Sequence, residues 1–185
     1  MTITLRDATA ADMAAITRIY ADAVRTGTAS YELVAPDERE MAARFQTITG
    51  QGYPYIVAVN AAGEVEGYAY ASAFRTRPAY RWLVEDSIYL AQGARGKGIG
   101  KLLLEALVGR CTALGFRQMV AVIGGASLAS VALHRACGFR EVGTLTGTGF
   151  KLGQWLDTVF MQRALGEGDT TDPDPAHFPG TLFAG

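Results

Sequence analysis

The residues that speak most directly of chemistry stand together, as Arg95-Gly96-Lys97-Gly98-Ile99-Gly100-Lys101, ahead of an apolar stretch with helical spacing. A helix N-terminus exposes N–H groups without intrahelical acceptors and carries a partial positive charge. Glycine lets that backbone approach phosphate oxygens, because no Cβ intrudes. Arg95, Lys97 and Lys101 add cationic charge, so the pattern suits a pyrophosphate. The spacing is not that of a P-loop, since Lys101 is followed by Leu102 rather than Ser or Thr. Nor is it a dinucleotide fingerprint, since the glycines fall at 96, 98 and 100. A capping cluster alone would not need bases interleaved with the glycines.

Arg95-x-x-Gly98-x-Gly100, placed between a strand and a long helix, resembles the acetyl-CoA pyrophosphate loop of the GNAT superfamily. The later stretch SLASVALHRACGF, residues 127–139, is similar to the superfamily's following helix, which ends in a Gly-Phe pair. A closer likeness lies in FRTRPAYRWLVEDSIYL, residues 74–90, and in KLGQWLD, residues 151–157, with Met161-Gln162 beyond it. These resemble the phosphinothricin and methionine sulfoximine N-acetyltransferase branch. The resemblance spans residues 1–165. It implies an α/β fold of the α+β type: a mixed, mostly antiparallel central sheet flanked by helices. It also implies acetyl-CoA as co-substrate, direct transfer to a small-molecule amine of amino-acid type, and a homodimer.

The resemblance assigns roles residue by residue. Glu85 takes the position of a proposed general base; an ammonium must lose its proton before it can attack, and a half-buried carboxylate of raised pKa suits that task. Asp86 is its neighbour, and strand alternation sends the two side chains to opposite faces. The backbone at Ile88, Tyr89 and Leu90 is expected to run beside the pantetheine arm, with the Leu90 N–H near the thioester carbonyl. His134 occupies a helix position where many relatives carry Tyr; one reading makes it the acid for the departing thiolate, the other a structural histidine. Ser127 departs from the family's usual Asn at the helix start, although it can cap the helix. Arg75, Arg77 and Arg81, with Phe74 and Tyr80, are candidates for gripping an acceptor carboxylate or phosphinate. Tyr31 resembles an aromatic wall of the acceptor pocket. Lys151 and Trp155 fall in the second signature stretch, at the acceptor site or a dimer contact. Cys111 and Cys137 read as packing rather than as covalent nucleophiles.

These residues need elements to hold them. Residues 10–25 form an amphipathic helix by the spacing of Met13, Ile16, Tyr20 and Val24, with Thr9 and Asp12 as a capping box. A second helix starts near Pro36, places Asp37, Glu38 and Glu40 in its first turn, buries Met41, Phe45 and Ile48, and ends at Gly50 and Gly52. Strands at 55–59 and 66–73 flank the turn Asn60-Ala61-Ala62-Gly63. A loop at 74–82 leads to a strand at 86–90. The glycine stretch then opens a long helix with Ile99, Leu102, Leu103, Ala106, Leu107 and Leu114 inward, stopped by Gly115. A strand at 118–123, a helix at 127–137 and a final pair of strands complete the body.

Composition closes off several classes. Seventeen basic against eighteen acidic residues give a formal charge of −1, which offers no basic face for nucleic acid or an anionic membrane surface. The apolar runs are short, and the first residues lack an apolar leader core, so the cytoplasm is the expected location. Two cysteines and two histidines lack paired metal-ligand spacing, and no metal is expected. Residues 166–185 stand apart, with three of the six prolines, four acidic residues and no Lys or Arg. They read either as a loosely packed tail or as a strap laid over the body through Phe178 and Phe183. Two rival functions remain at this point: acetylation of a protein N-terminus or lysine, and non-catalytic binding of an acyl-CoA.

Overall fold

The computed structural model describes residues 2–177. Its sheet has seven strands: β1 (Ile3–Asp7), β2 (Tyr55–Asn60), β3 (Val65–Ala73), β4 (Leu83–Leu90), β5 (Gln118–Gly124), β6 (Arg140–Lys151) and β7 (Gln154–Ala164). They are ordered β1-β2-β3-β4-β5-β7-β6. Every neighbouring pair is antiparallel except β4 and β5. Helices α1 (Met13–Thr26) and α2 (Glu38–Gly50) cover one face, and α3 (Ile99–Ala113) covers the other with α4 (Leu128–Ala136) beside it.

One break in pairing positions the site. The parallel ladder of β4 and β5 runs only from Leu83↔Gln118 to Asp86↔Ala121. Beyond that rung β4 stays paired with β3 as far as Leu90, and β5 stays paired with β7 as far as Gly124. The sheet therefore forks, and the unpaired edges of residues 87–90 and 122–124 face a gap. Backbone N–H and C=O groups on such edges need partners, which makes the fork a place to receive a ligand with amide groups of its own.

Most expected elements form near their expected limits. Asp12 accepts from the Thr9 N–H at 2.8 Å and from Arg6 through both oxygens at 2.7 Å, but residues Ala10–Asp12 make a 3-10 turn, so α1 proper begins at Met13. The Asp37 side chain caps α2 by accepting from the Glu40 N–H at 2.8 Å. Gly115, at φ +92°, ends α3 as expected. Three expectations need correction. β1 was not anticipated, because five residues with one short apolar alternation carry little signal and β1 forms only by pairing with β2. β4 begins at Leu83 rather than 86, the extra residues being those that pair with β3 and β5. Leu102 points outward at 45% exposure, while Leu104 is fully buried; one residue around a helix is enough to leave the apolar stripe.

The segment after β7 is tied down where it is described. Leu165 is buried, and Arg117 donates to Gly168 O at 2.7 Å and to Thr171 O at 2.9 Å. Phe178 and Phe183 lie outside the described residues. No helix among the described residues is long and apolar enough to cross a membrane.

Candidate active site

A cavity of about 860 Å³ opens at the fork, bounded by the second half of β4, the glycine turn, the end of β5, the start of α4 and the segment around residues 27–31. At its turn end, Gly96 and Gly98 have φ of +73° and +81°, and Gly98 is the N-cap of α3. Such angles are open to glycine at little cost. A Cβ on either would meet no protein atom within 4 Å, so both backbones face open space of the kind a phosphate needs. Gly100 serves packing: its Cβ would lie 3.3 Å from Leu133, drawing α3 and α4 together. Arg95 and Lys101 line the cavity, and Lys101 is only loosely paired with Glu105 at 3.6 Å. The expected set is not all brought together there. Lys97 is exposed and off the lining, and the Ile99 side chain is buried in the core, leaving only its backbone for the turn.

Ile88, Tyr89 and Leu90 all line the cavity. The Tyr89 ring itself lies within an aromatic stack, 5.4 Å from Tyr68 and edge-on to Tyr20 at 4.9 Å, so it is the main chain that meets the gap. Ser127 lines it too and caps α4, its Oγ accepting from the Ser130 N–H at 3.4 Å.

At the apex of the fork sit two consecutive carboxyl groups. Glu85 is on the α1 and α2 side and Asp86 on the α3 and α4 side, as strand alternation requires. Both nevertheless line one cavity, because the opened sheet gives access to both faces. Burial, and then the Asp86 charge, push the Glu85 carboxyl up to about 7, against a smaller downward pull from Arg75. Asp86 is buried, and its Oδ2 lies 2.9 Å from His134 Nε2. His134 is equally buried, with Nδ1 2.7 Å from Ser130 O. Burial works against the charged ring, but the Asp86 carboxylate outweighs it and holds the His134 pKa above its ordinary value.

Tyr31 stands at the opposite wall. Its hydroxyl donates to Asp157 O at 3.0 Å, lies 2.8 Å from Thr158 Oγ1 and accepts from the Gly125 N–H at 3.2 Å. Its ring sits over Gly124 and Gly149, where a Cβ would come within 2.8 Å of ring carbons. Lys151 donates to Ser30 O at 2.6 Å and is buried, which lowers its pKa. It pins the segment that carries Tyr31 and does not itself line the cavity. Sequence reading missed this clamp and the Asp86–His134 contact. The signals were the Gly124-Gly125 pair closing β5 and a second carboxylate beside Glu85.

The arginine-rich segment lies elsewhere. Phe74, Arg75, Arg77, Tyr80 and Arg81 are not on this cavity's lining. Arg75 stacks over the Phe74 ring at 4.1 Å, and Arg81 lies over Trp82 at 5.0 Å. Phe74 instead borders a second, apolar groove of about 410 Å³ with Leu83, Val142, Leu145 and Phe160. Arg75 still reaches the fork electrostatically, through Glu85. Among the described residues no cluster of His, Cys, Asp and Glu is placed to hold a metal ion.

The model of the acetyltransferase (GNAT) domain matches residues 5–160. The chain belongs to the GNAT family. This GNAT acetyltransferase is 51% identical over 164 residues to phosphinothricin N-acetyltransferase of Alcaligenes faecalis, covering 88% of this chain and 83% of the relative. It is 44% identical over 165 residues to the L-methionine sulfoximine/L-methionine sulfone acetyltransferase of Pseudomonas aeruginosa, covering 89% and 96%. A solved GNAT phosphinothricin acetyltransferase of Sinorhizobium meliloti, in complex with acetyl-CoA, superposes with a TM-score of 0.96 at 65% identity and covers 99% of both chains. The GNAT enzyme uses acetyl-CoA as its co-substrate. The positive-φ glycines, the flanking cations and the forked sheet fit that molecule's diphosphate and its amide-bearing arm.

Proposed function

We propose that this enzyme acetylates the primary α-amine of a small amino-acid-like acceptor of the phosphinothricin, methionine sulfoximine or methionine sulfone type, by direct transfer with both substrates bound. The names of the relatives supply the acceptor class. The observation that carries the mechanism is Glu85: a half-buried carboxyl at the apex of the same cavity that begins at the glycine turn, able to take up a proton near neutrality. Acetyl-CoA supplies the activated thioester. Glu85 accepts the ammonium proton, the Leu90 N–H stands ready for the developing oxyanion, and Arg95, Lys101 and the first-turn amides of α3 hold the diphosphate. Cys111, buried and with its thiol pushed up to about 12 by that burial, is unsuited to a covalent step.

The enzyme works as a cytoplasmic homodimer, with residues 1–165 as the catalytic body and 166–185 as an appendage. Support for the dimer comes from β6 and β7, where Val142, Leu145, Phe150, Leu152 and Trp155 stand exposed on one ribbon at the sheet edge. A second copy placed there would cover that apolar surface.

A thiol-release assay with acetyl-CoA and a panel of amines tests the reading. Turnover of methionine sulfone or phosphinothricin in preference to peptides with free N-termini or lysines is expected. Preference for peptides would replace the acceptor class, and acetyl-CoA binding without turnover of any amine would discard the enzyme reading.

A further inference from the structure

Two pieces of this chain have little structure to hold them by themselves, and they hold each other. The first is the segment 27–35, which is neither helix nor strand and whose residues from Gly27 to Tyr31 line the cavity. The second is the tip of β6 and β7. The last rung between β5 and β7 is Gly124↔Thr158, so Gly149↔Leu156, Phe150↔Trp155 and Lys151↔Gln154 form a two-stranded arm beyond it. A ribbon of two strands is marginal in water without a body to pack on.

The arm turns one face outward, with Phe150 and Trp155 exposed and their rings 5.4 Å apart. Its other face meets the segment. Gly149 lies beneath the Tyr31 ring, Leu156 is buried, and Lys151 Nζ donates to Ser30 O at 2.6 Å. Asp157 O, at the base of the arm, accepts from the Tyr31 hydroxyl at 3.0 Å and from the Ala126 N–H at 3.1 Å. On its far side the segment is moored to the helices. Ser30 Oγ lies 2.9 Å from the Tyr20 hydroxyl, and Glu32 accepts from Tyr20 at 3.0 Å and from Arg44 at 2.6 Å. Lys151 is only 5% exposed, and an ammonium so far from water stays charged only where its bonds offset the cost. Without it the Ser30 carbonyl, itself in a buried residue, loses the donor that Lys151 supplies.

We propose that Lys151 is a positioning residue for the acceptor: through Ser30 O it joins the arm and the cavity wall into one unit, so that the wall closes only when the arm is docked. This rests on the reading of the Tyr31 wall as part of the acceptor site. The glycine turn stands at the other end of the cavity and is built on α3, so acetyl-CoA is held independently of the arm.

The test is Lys151→Met, which keeps an unbranched apolar stem and removes the ammonium. With the wall closed about a tenth of the time, the acceptor KM should rise about tenfold. Calorimetry should find the acetyl-CoA affinity of the wild type. An unmoved acceptor KM, or equal losses for both substrates, would overturn the proposal. A second measurement needs neither the variant nor an acceptor. In the wild type the amides of Glu32, Gly125 and Ala126 are held by Ser30 Oγ, the Tyr31 hydroxyl and Asp157 O. They should exchange hydrogen through one shared opening, with a common urea dependence and a lower opening free energy than the amides of α3. Separate openings would mean that arm and wall move independently, and the proposal would fall. A failed acceptor reading is separately visible, as absent turnover of the amine panel by the wild type, and leaves the exchange result standing.

Discussion

Replacing Glu85 by Gln should make the protein more stable as well as less active, and the pH dependence of that gain identifies its cause. In the unfolded chain this carboxyl ionises near 4.5; in the folded one burial and the Asp86 charge bring it up to about 7. The folded state thus holds the proton more tightly. No penalty exists below the unfolded value; stability falls as pH rises from 4.5 to 7, and the full penalty applies above 7. At ~1.4 kcal/mol per pKa unit the displacement is worth roughly 3 kcal/mol. Water in the open cavity screens part of it, so a gain of ~2 kcal/mol for the Gln variant at pH 8 is expected. For a chain of 185 residues that corresponds to roughly 4–8 °C in Tm. Thermal unfolding of both proteins at pH 5, 6, 7 and 8 measures it. The difference should be small at pH 5 and level off above 7, while kcat falls on the order of 10²-fold or more. A difference that is constant across this range would show that Glu85 is not titrating in the fold, and the reasoning on the base would fail with it.

Gly98→Ala forces a left-handed backbone on a residue with a Cβ, which should cost about 1 kcal/mol of stability. Its methyl also enters the phosphate space, so calorimetry should show acetyl-CoA binding weakened at least about tenfold; unchanged binding would move the diphosphate elsewhere. Tyr31→Phe removes the hydroxyl that joins Gly125, Asp157 and Thr158. It should cost about 1–2 kcal/mol and raise the acceptor KM while leaving acetyl-CoA affinity intact. Trp155→Lys charges the exposed ribbon of β6 and β7. Light scattering should then report a mass near the 19.7 kDa of one chain instead of twice that, and an unaltered mass would place any dimer contact elsewhere.

What could be read from residues alone was whatever depends on neighbours along the chain. The glycine turn announces itself because positive φ, missing side chains and adjacent cations are local properties, and the structure places Gly96 and Gly98 where those properties matter. The helices declared themselves through periodicity and ends: Ser127 and Gly115 do what their type and position suggest, whereas Asp37, expected in the first turn of α2, stands one residue before it as the cap. Glu85 could be singled out, but not its altered acidity, because the burial that chiefly raises it comes from how the sheet is covered. The fork between β4 and β5, which admits two opposite faces of one strand to one cavity, depends on where a parallel ladder stops. So does the meeting of Asp86 with His134, 48 residues apart. Local stereochemistry is written residue by residue, whereas desolvation and long-range pairing exist only once the layers have closed, and it is those that turn a motif into a site.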